Sequence, residues 1–281
     1  MKIPFRKMHG AANDFVVVDH RQSFLPASSA GLEPLIRRLC DRRRGVGADG
    51  VLLLERDPEH DCAMRYFNAD GRPAEFCGNG ARCFARLPLD LGLGSGGEVR
   101  FRSDAGLMRA RRSADGRGIE LRFGLVDRWG ALETVVAAGR EFPGRRIRTG
   151  VPHFVVPVER LETVPVSEWG AALRRLPCFG PAGTNVDFVA RLGPGRIALR
   201  TFERGVEGET LACGSGAMAA ALWAVAEGDA SPIGVMTAGG DELRVGLTAV
   251  GTRWDTTLTG PAEMVYSGEW IEPVPAVAPH A

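Results

Sequence analysis

The sequence predicts an α+β protein of two pseudo-symmetric halves, each a strand-rich, barrel-like sheet wrapped around a central helix, with a site in the cleft between them. Three observations support this fold class: an internal repeat, many short strand-like segments, and one helical segment that is apolar on every side. The repeat pairs residues 65–83, RYFNADGRPAEFCGNGARC, with residues 200–219, RTFERGVEGETLACGSGAMA. Each copy runs from Arg-x-Phe through a turn-rich loop to Cys-Gly-x-Gly-Ala, which indicates two related structural units.

In the first half, short apolar segments predict strands on either side of a helix. Residues 15–18, 51–54 and 63–67 have the length and composition of strands. The segment 32–40 has apolar residues at 32, 35, 36, 39 and 40, which is the spacing of one helix face. Further strands are predicted at 99–101, 107–110 and 119–123.

The second half has the same kinds of predicted elements, short strands and a helix. Residues 153–158, 186–189 and 197–202 are predicted strands, and the last of them leads into the second cysteine loop. Residues 217–226, AMAAALWAVA, are the clearest helix of the chain, because alanine, leucine and methionine favour helix. Their nearly continuous apolar character predicts burial on all sides. A meander of short strands is predicted from residue 235 to residue 270.

The polar stretch 111–118 predicts where the two halves divide. We therefore expect an N-terminal half of residues 1–114 with the first repeated cysteine, and a C-terminal half of residues 115–263 with the second. The proline-rich end of the chain predicts a disordered tail at residues 276–281.

The composition excludes several classes of function. With 35 basic and 34 acidic residues the net charge is +1, so nothing favours a nucleic acid or an anionic membrane as partner. The N-terminus, MKIPFRKMHG, lacks the apolar core of a secretory signal, and no apolar run approaches the ~20 residues that cross a bilayer. We therefore expect a cytoplasmic protein whose six cysteines are reduced thiols. No CxxC pair or paired Cys/His spacing indicates a metal site.

The repeated motifs place Cys77 and Cys213 where a helix can begin. A helix N-terminus presents unpaired N–H groups and the positive end of the helix dipole. We expect this setting to favour the thiolate, since it can lower a cysteine pKa to ~3.5–7.5. The same N–H groups can bind a carboxylate. Two such thiols on opposite faces of a bound amino acid could remove and return the α-proton without a cofactor.

Structural roles are the alternative for each of these residues. A single cysteine before a helix more often packs than reacts, but packing does not require a duplicated Cys-Gly-x-Gly-Ala. Cys77 and Cys213 could also form a disulfide, which we expect only in an oxidised, inactive form. Cys83 is predicted to lie in the core, and Cys40, Cys62 and Cys178 are predicted to be structural. His153 is predicted to be a packed or hydrogen-bonded histidine rather than a base.

Several polar residues accompany the cysteines. Taken singly, the asparagines can form turns, and Glu203 with Arg204 can be a solvated pair. Taken together, they predict a polar pocket that holds an amino group and a carboxylate away from the reacting centre. These residues are Asn13, Asn68, Asn185, Glu203 and Arg204.

With these motifs the chain resembles the diaminopimelate epimerase family, whose members need no pyridoxal phosphate. The resemblance covers nearly the whole chain to about residue 270, and its cysteine motifs are highly specific. The segments that carry it are Lys7 to Gly10, Asn13 to Phe15, Asp41-Arg42, Gly45 to Gly50, Phe67 to Cys83, Pro152-His153, Thr184 to Val186, Glu203 to Ala217 and Gly260 to Trp270.

The resemblance implies roles for the candidate residues. Cys77 and Cys213 would be the acid/base pair, and the backbone amides of the next two residues would hold the reacting carboxylate. Asn13 would lie near the reacting end, and the other four polar residues would hold the distal group. The amides belong to Gly78, Asn79, Gly214 and Ser215, and the distal residues are Asn68, Asn185, Glu203 and Arg204.

The resemblance also implies the substrate and the assembly. The substrate would be a small amino acid, LL- or meso-diaminopimelate, and no cofactor would be needed. The last strand, within residues 264–275, would return to the first half, and the chain would form a homodimer.

The sequence departs from the family pattern at two places. Val151 stands where the family often has an asparagine that contacts the distal end, and Glu207 is an extra residue in the second loop. Both bear on the choice of substrate, so a racemase of another amino acid, such as histidine, is an alternative on the same fold. Alternatives of another class are a non-catalytic amino-acid-binding protein and a thiol redox sensor.

Overall fold

The structure is a computed structural model that describes residues 1–11, 13–74 and 77–272. Its elements occur in two series. The first contains β1 (Lys2–Gly10), β2 (Asn13–Asp19), α1 (Ser29–Cys40), β3 (Gly50–Glu55), β4 (Cys62–Asn68), α2 (Gly78–Asp90), β5 (Glu98–Ser103), β6 (Gly106–Arg112) and β7 (Gly118–Asp127). The second contains β8 (Leu132–Ala137), β9 (Arg140–Thr149), β10 (Val151–Pro157), α3 (Val166–Arg174), β11 (Asn185–Gly193), β12 (Arg196–Glu203), β13 (Gly208–Thr210), α4 (Gly214–Ala226), β14 (Ile233–Met236), β15 (Glu242–Val250), β16 (Arg253–Pro261) and β17 (Glu263–Ile271).

The strand pairings repeat along the chain. From β1 to β7, successive neighbours are antiparallel, parallel, antiparallel, parallel, antiparallel and antiparallel. The series β9, β10, β11, β12, β14, β15 and β16 has the same order. Each parallel pair needs a crossover, and the helices supply it: α1 and α2 in the first series, α3 and α4 in the second. The repeat first visible in two loops therefore extends over both halves.

Two pairings join the ends of the series. β7 is antiparallel to β16, so the strands that end the two repeated pairing orders, β1 to β7 and β9 to β16, lie side by side. β17 leaves the meander and pairs with β1, which places the end of the described chain beside its beginning. The predicted division at residues 114 and 115 falls in the turn between β6 and β7 and stays a prediction, and the predicted tail at 276–281 lies outside the described residues.

Helices α2 and α4 are the central helices of the two halves, as predicted. All residues from Gly216 to Trp223 are buried, which explains why α4 is apolar on every side. The core around α4 includes strand residues such as Val189, Ile197 and Val245. The core around α2 includes Phe15, Leu52 and Phe101.

The other two helices cover different parts of the sheet. Helix α1 packs on Val16, Val18 and Leu53, and α3 packs in a cluster with Phe188 and Phe202. Helix α3 and the β8–β9 hairpin were not predicted from the sequence. Helix α3 has no side-chain N-cap and contains Gly170, where an added Cβ would lie 2.4 Å from Phe202. Contact with β12 thus stabilises α3, although the local sequence favours a helix only weakly. Within the described part of the chain, no helix has the length and apolar character needed to span a membrane.

Candidate active site

The two repeated cysteines occupy the same position in the two halves. Cys77 is the N-cap of α2, and its Sγ accepts a hydrogen bond from the Gly80 N–H at 3.5 Å. Cys213 is the N-cap of α4, and its Sγ accepts from the Gly216 N–H at 3.4 Å. Both residues have extended backbone before the helix begins, which is the usual N-cap conformation. The expected position of both thiols at helix starts is therefore confirmed.

The two helix starts face each other. A Cβ built on Gly78 would lie 3.8 Å from the Gly214 Cα, and one built on Gly214 would lie 3.7 Å from the Gly78 Cα. The side chain of Asn79 crosses between the halves, where its Nδ2 donates to the Ala212 carbonyl oxygen at 3.2 Å. The positive ends of two helix dipoles therefore meet at one point, which favours an anion there.

A cavity of about 1250 Å³ opens at this junction. Every candidate residue predicted from the sequence lines it, from both halves of the molecule. These residues are Asn13, Asn68, Cys77, Gly78, Asn79, Asn185, Glu203, Arg204, Cys213, Gly214 and Ser215. Among the described residues no cluster of His, Cys, Asp and Glu has an arrangement that could hold a metal ion.

The expectation that the helix starts acidify both thiols is wrong. Burial raises the pKa of Cys77, and the N–H groups of Gly80 and Asn79 oppose this only in part. Burial also raises the pKa of Cys213, and the charge of Glu203 adds to the increase. Desolvation of a thiolate thus outweighs the helix N–H groups and raises the pKa of both cysteines.

Each thiol has one polar side chain beside it. The Cys77 Sγ donates to Asn13 Oδ1 at 3.4 Å, and the Asn13 amide in turn donates to Asp49. The Cys213 Sγ lies 3.4 Å from Ser215 Oγ. Asn13 therefore lies next to the first thiol in the cavity.

The remaining polar residues lie at strand ends: Asn68 ends β4, Asn185 begins β11, and Glu203 ends β12, directly before Arg204. Asn185 Oδ1 accepts from the Arg204 backbone N–H at 2.8 Å, and Asn185 Nδ2 donates to the Pro152 carbonyl at 3.1 Å. Asn68 Oδ1 accepts from the Tyr66 hydroxyl at 3.0 Å. Burial raises the pKa of Glu203, so this carboxyl is not a solvated surface group.

A buried polar layer supports the start of α4. The side chains of His153 and Asp187 are fully buried, with His153 Nδ1 2.6 Å from Asp187 Oδ2. The Thr201 hydroxyl donates to Asp187 Oδ1 at 2.7 Å. His153 is thus a hydrogen-bonded structural histidine, as predicted.

Several residues that line the cavity were not predicted from the sequence, and Tyr66 and Thr149 are two of them. Tyr66 lines the cavity from the skipped position of Arg-x-Phe, where the second copy has Thr201, whose hydroxyl donates to Asp187 instead. Thr149 also lines the cavity, and its hydroxyl donates to the Ser215 carbonyl at 2.9 Å. The two copies have different residues between the repeated Arg and Phe, so this position did not stand out in the repeat. Its place between two repeated residues could nevertheless have drawn attention to Tyr66.

The two departures from the family pattern lie in different environments. Val151 lines the cavity and adds apolar surface to its wall. Glu207 points away toward α3, where its carboxylate pairs with Arg174 at 2.6 Å and Arg175 at 3.0 Å. The extra residue therefore anchors the loop, and Val151 is the departure that can touch a ligand.

Comparison with known proteins places the chain in a family. The family model for diaminopimelate epimerase matches residues 5–129 and 146–265. A diaminopimelate epimerase of Aquifex aeolicus is 40% identical over 278 residues, which is 96% of this chain and 98% of that protein. One from Hydrogenobaculum sp. is 34% identical over 272 residues, which is 93% of this chain and 96% of that protein.

Solved structures share the fold at low sequence identity. A phenazine biosynthesis protein of the PhzF family from Bacillus anthracis has a TM-score of 0.71 at 16% identity, over 96% of this chain and 99% of that chain. A hydroxyproline epimerase from Agrobacterium vitis has a TM-score of 0.66 at 19% identity, over 95% of this chain and 92% of that chain. The full-length sequence matches and the two capped helices meeting in one cavity agree: the chain belongs to the diaminopimelate epimerase family of isomerases.

Proposed function

We propose that this chain is a diaminopimelate epimerase that interconverts LL- and meso-diaminopimelate by a two-base mechanism. The observation that carries the proposal is the meeting of two cysteine-capped helix starts, one from each half, in a single cavity. The carboxylate of the reacting centre binds between the starts of α2 and α4, where backbone N–H groups of both helices point at it.

The reaction needs one thiolate and one thiol. The thiolate of one cysteine takes the α-proton, so an S–H bond forms as the C–H bond breaks, and the electron pair spreads into the carboxylate. The thiol of the other cysteine gives its proton to the opposite face, which forms the new C–H bond and leaves a thiolate. Preorganised N–H groups stabilise the charge that grows on the carboxylate. The two cysteines exchange roles for the reverse direction.

The rest of the cavity binds the distal amino-acid group. Arg204 offers a positive charge for the distal carboxylate, while Glu203 offers a partner for the distal ammonium. Asn68 and Asn185 add amide groups on two sides of the cavity. A substrate with an amino acid at each end matches this division into two polar ends.

Isotope exchange tests the proposal directly. Purified, reduced protein is incubated with LL-diaminopimelate in deuterated water, and α-deuteration is followed by mass spectrometry. We expect α-deuterated meso-diaminopimelate from the wild type and no meso product from Cys77→Ala or Cys213→Ala, because each variant lacks the acid or the base on one face. Cys178→Ala is the matched control, because Cys178 is exposed and does not line the cavity. Meso product formed by either active-site variant would refute the two-thiol mechanism, whereas exchange without inversion in one variant is the action of its remaining thiolate.

Val151 favours one second candidate, a racemase of another amino acid. An apolar side chain in the cavity wall suits a less polar distal group than that of diaminopimelate. The same assay with a panel of amino acids that includes histidine decides between the two. Exchange with another amino acid and none with diaminopimelate would establish the alternative.

We also propose a cytoplasmic homodimer. Both active-site cysteines must stay reduced, which a cytoplasmic setting ensures. In the described part of the chain β17 pairs with β1 alone, and it exposes Met264, Val265 and Tyr266. An apolar edge strand of this kind is suited to a second copy. Light scattering should show a dimer that Val265→Glu converts to a monomer, whereas Leu132→Glu, an equally exposed position, should leave it intact. A wild-type monomer would refute the assembly.

A further inference from the structure

The cysteine repeat is broken at the fifth residue after each cysteine. Helix α2 has Arg82 there, whereas α4 has Met218. Both residues are buried, with 0% of Arg82 and 1% of Met218 exposed. The second half shows that an apolar side chain fits this place in the fold, so packing alone does not call for a cation in the first half.

Within the described ranges, the hydrogen bonds that Arg82 donates all go to neutral groups. Its Nη2 donates to Asn79 Oδ1 at 2.8 Å, and its Nη1 and Nε donate to the carbonyls of Gly78 at 3.4 Å and Pro261 at 3.3 Å. Among the residues that the structure describes, no carboxylate forms an ion pair with it, and the negative charge of Asp241 acts on it only from beyond ion-pair distance. A buried cation without an anion is unfavourable, because the lost hydration is not replaced by an opposite charge.

The contacts of Arg82 lead to the reacting end of the cavity. It holds the two residues that directly follow Cys77, and Asn79 reaches on to Ala212, the neighbour of Cys213. Gly260 leaves room for the guanidinium, since a Cβ built there would lie 3.1 Å from its Nε. The Arg82 guanidinium is therefore held next to the start of α2 by residues of α2 and β16.

We propose that Arg82 is a positioning residue whose uncompensated charge stabilises the anions that form at the start of α2, namely the Cys77 thiolate and the bound carboxylate. The carboxylate part rests on the proposed function, whereas the thiolate part does not. Because the second half has Met218, this support is confined to the first half, and the two thiols are electrostatically unequal.

Among the described residues around Cys77, the other titratable groups supply no positive charge. Glu203, from β12, disfavours the thiolate through its negative charge. Tyr66, on β4, and Cys83, on α2, both have a pKa raised by burial, so they are neutral near neutral pH. The charge of Arg82 lowers the pKa of Cys77 against these influences.

Alkylation of Cys77 without substrate tests the proposal. The rate of reaction with iodoacetamide is measured against pH, and the modified residue is identified by tandem mass spectrometry. Arg82→Met gives α2 the side chain that α4 carries, and we expect the pH of half-maximal rate to rise by about one unit, the low end for loss of a nearby opposite charge. Arg82→Lys keeps the charge and should shift by less than half of that. Arg86→Met is the control, because Arg86 lies one turn further along α2 and pairs with Asp90 at 2.9 Å.

The outcomes distinguish an effect of the Arg82 charge from an effect on folding and from an error in the proposed substrate. An Arg82→Met pH profile of alkylation equal to that of the wild type overturns the proposal. An Arg82→Lys profile that is shifted as far as that of Arg82→Met overturns it as well. If Arg82→Met does not fold, Arg82→Gln replaces it as a neutral variant with a donor for Asn79. If only Arg82→Lys folds, a shift of a full unit in that variant overturns the proposal. A wild type without diaminopimelate exchange refutes the proposed function, while the alkylation profile still decides the role of Arg82.

Discussion

Replacing Gly216 by alanine tests how closely α4 sits on its buried polar layer. A Cβ at this position would lie 2.6 Å from Asp187 Oδ1 and 3.0 Å from Thr201 Oγ1. Ordinary van der Waals contact begins at 3.4 Å, so Asp187 must retreat by 3.4 − 2.6 = 0.8 Å. Its carboxyl group is held by His153 at 2.6 Å and by Thr201 at 2.7 Å, and a movement of this size breaks at least one of these bonds.

The expected loss of stability follows from these contacts. Overpacking costs ~1–3 kcal/mol, and a buried polar group left without its partner costs ~1–3 kcal/mol more. The better helix propensity of alanine offsets at most ~1 kcal/mol. We therefore expect Gly216→Ala to lower the free energy of unfolding by about 2–4 kcal/mol, measured by urea unfolding followed by circular dichroism.

The repeat supplies the matched control. Gly80 is the equivalent residue of α2, but a Cβ there would lie 3.2 Å from the edge of the Phe15 ring, which can yield by a few tenths of an ångström. Gly80→Ala should therefore cost less than ~1 kcal/mol. Equal losses in the two variants would refute the argument that the polar layer under α4, rather than the helix start itself, makes Gly216 necessary.

Three further predictions concern activity. Because burial raises the pKa of Cys77, the thiolate becomes more abundant as the pH rises, so kcat/KM should still increase above pH ~8.5, the pKa of an ordinary thiol; a pH–rate profile with a plateau already at pH 7 would contradict this. Mild oxidation should abolish activity by joining Cys77 to Cys213, and dithiothreitol should restore it; full activity in protein shown by mass spectrometry to contain that disulfide would exclude both as acid/base groups. Val151→Asn should lower KM for diaminopimelate and change kcat little, because it adds an amide to the cavity wall; an unchanged KM would show that this side chain does not contact the substrate.

Local patterns identified much of the fold. The helices at 32–40 and 217–226 and the strands that lead into both cysteine loops were predictable, because apolar periodicity records burial directly. The duplicated Cys-Gly-x-Gly-Ala also led to residues that all line one cavity. By contrast, α3 and the β8–β9 hairpin gave weak signals, since their stability depends on contacts with strands distant in sequence.

The chemistry of the site was only partly predictable. A cysteine at a helix start predicts a lowered thiol pKa, yet burial raises the pKa of both cysteines. The extra Glu207 seemed a candidate for substrate choice, but the fold turns it toward Arg174. In each case the outcome depends on the groups that surround the side chain in the folded protein, and the local sequence does not reveal them.

The sequence by itself determined that two equivalent thiols begin two helices, because the motif is local and occurs twice. Only the tertiary structure decided that these helix starts meet, that Asp187 stands behind one and Arg82 behind the other, and that Val151 faces the cavity. The physical reason is the same throughout: capping and periodicity depend on neighbours along the chain, whereas desolvation and uncompensated charge depend on neighbours in space.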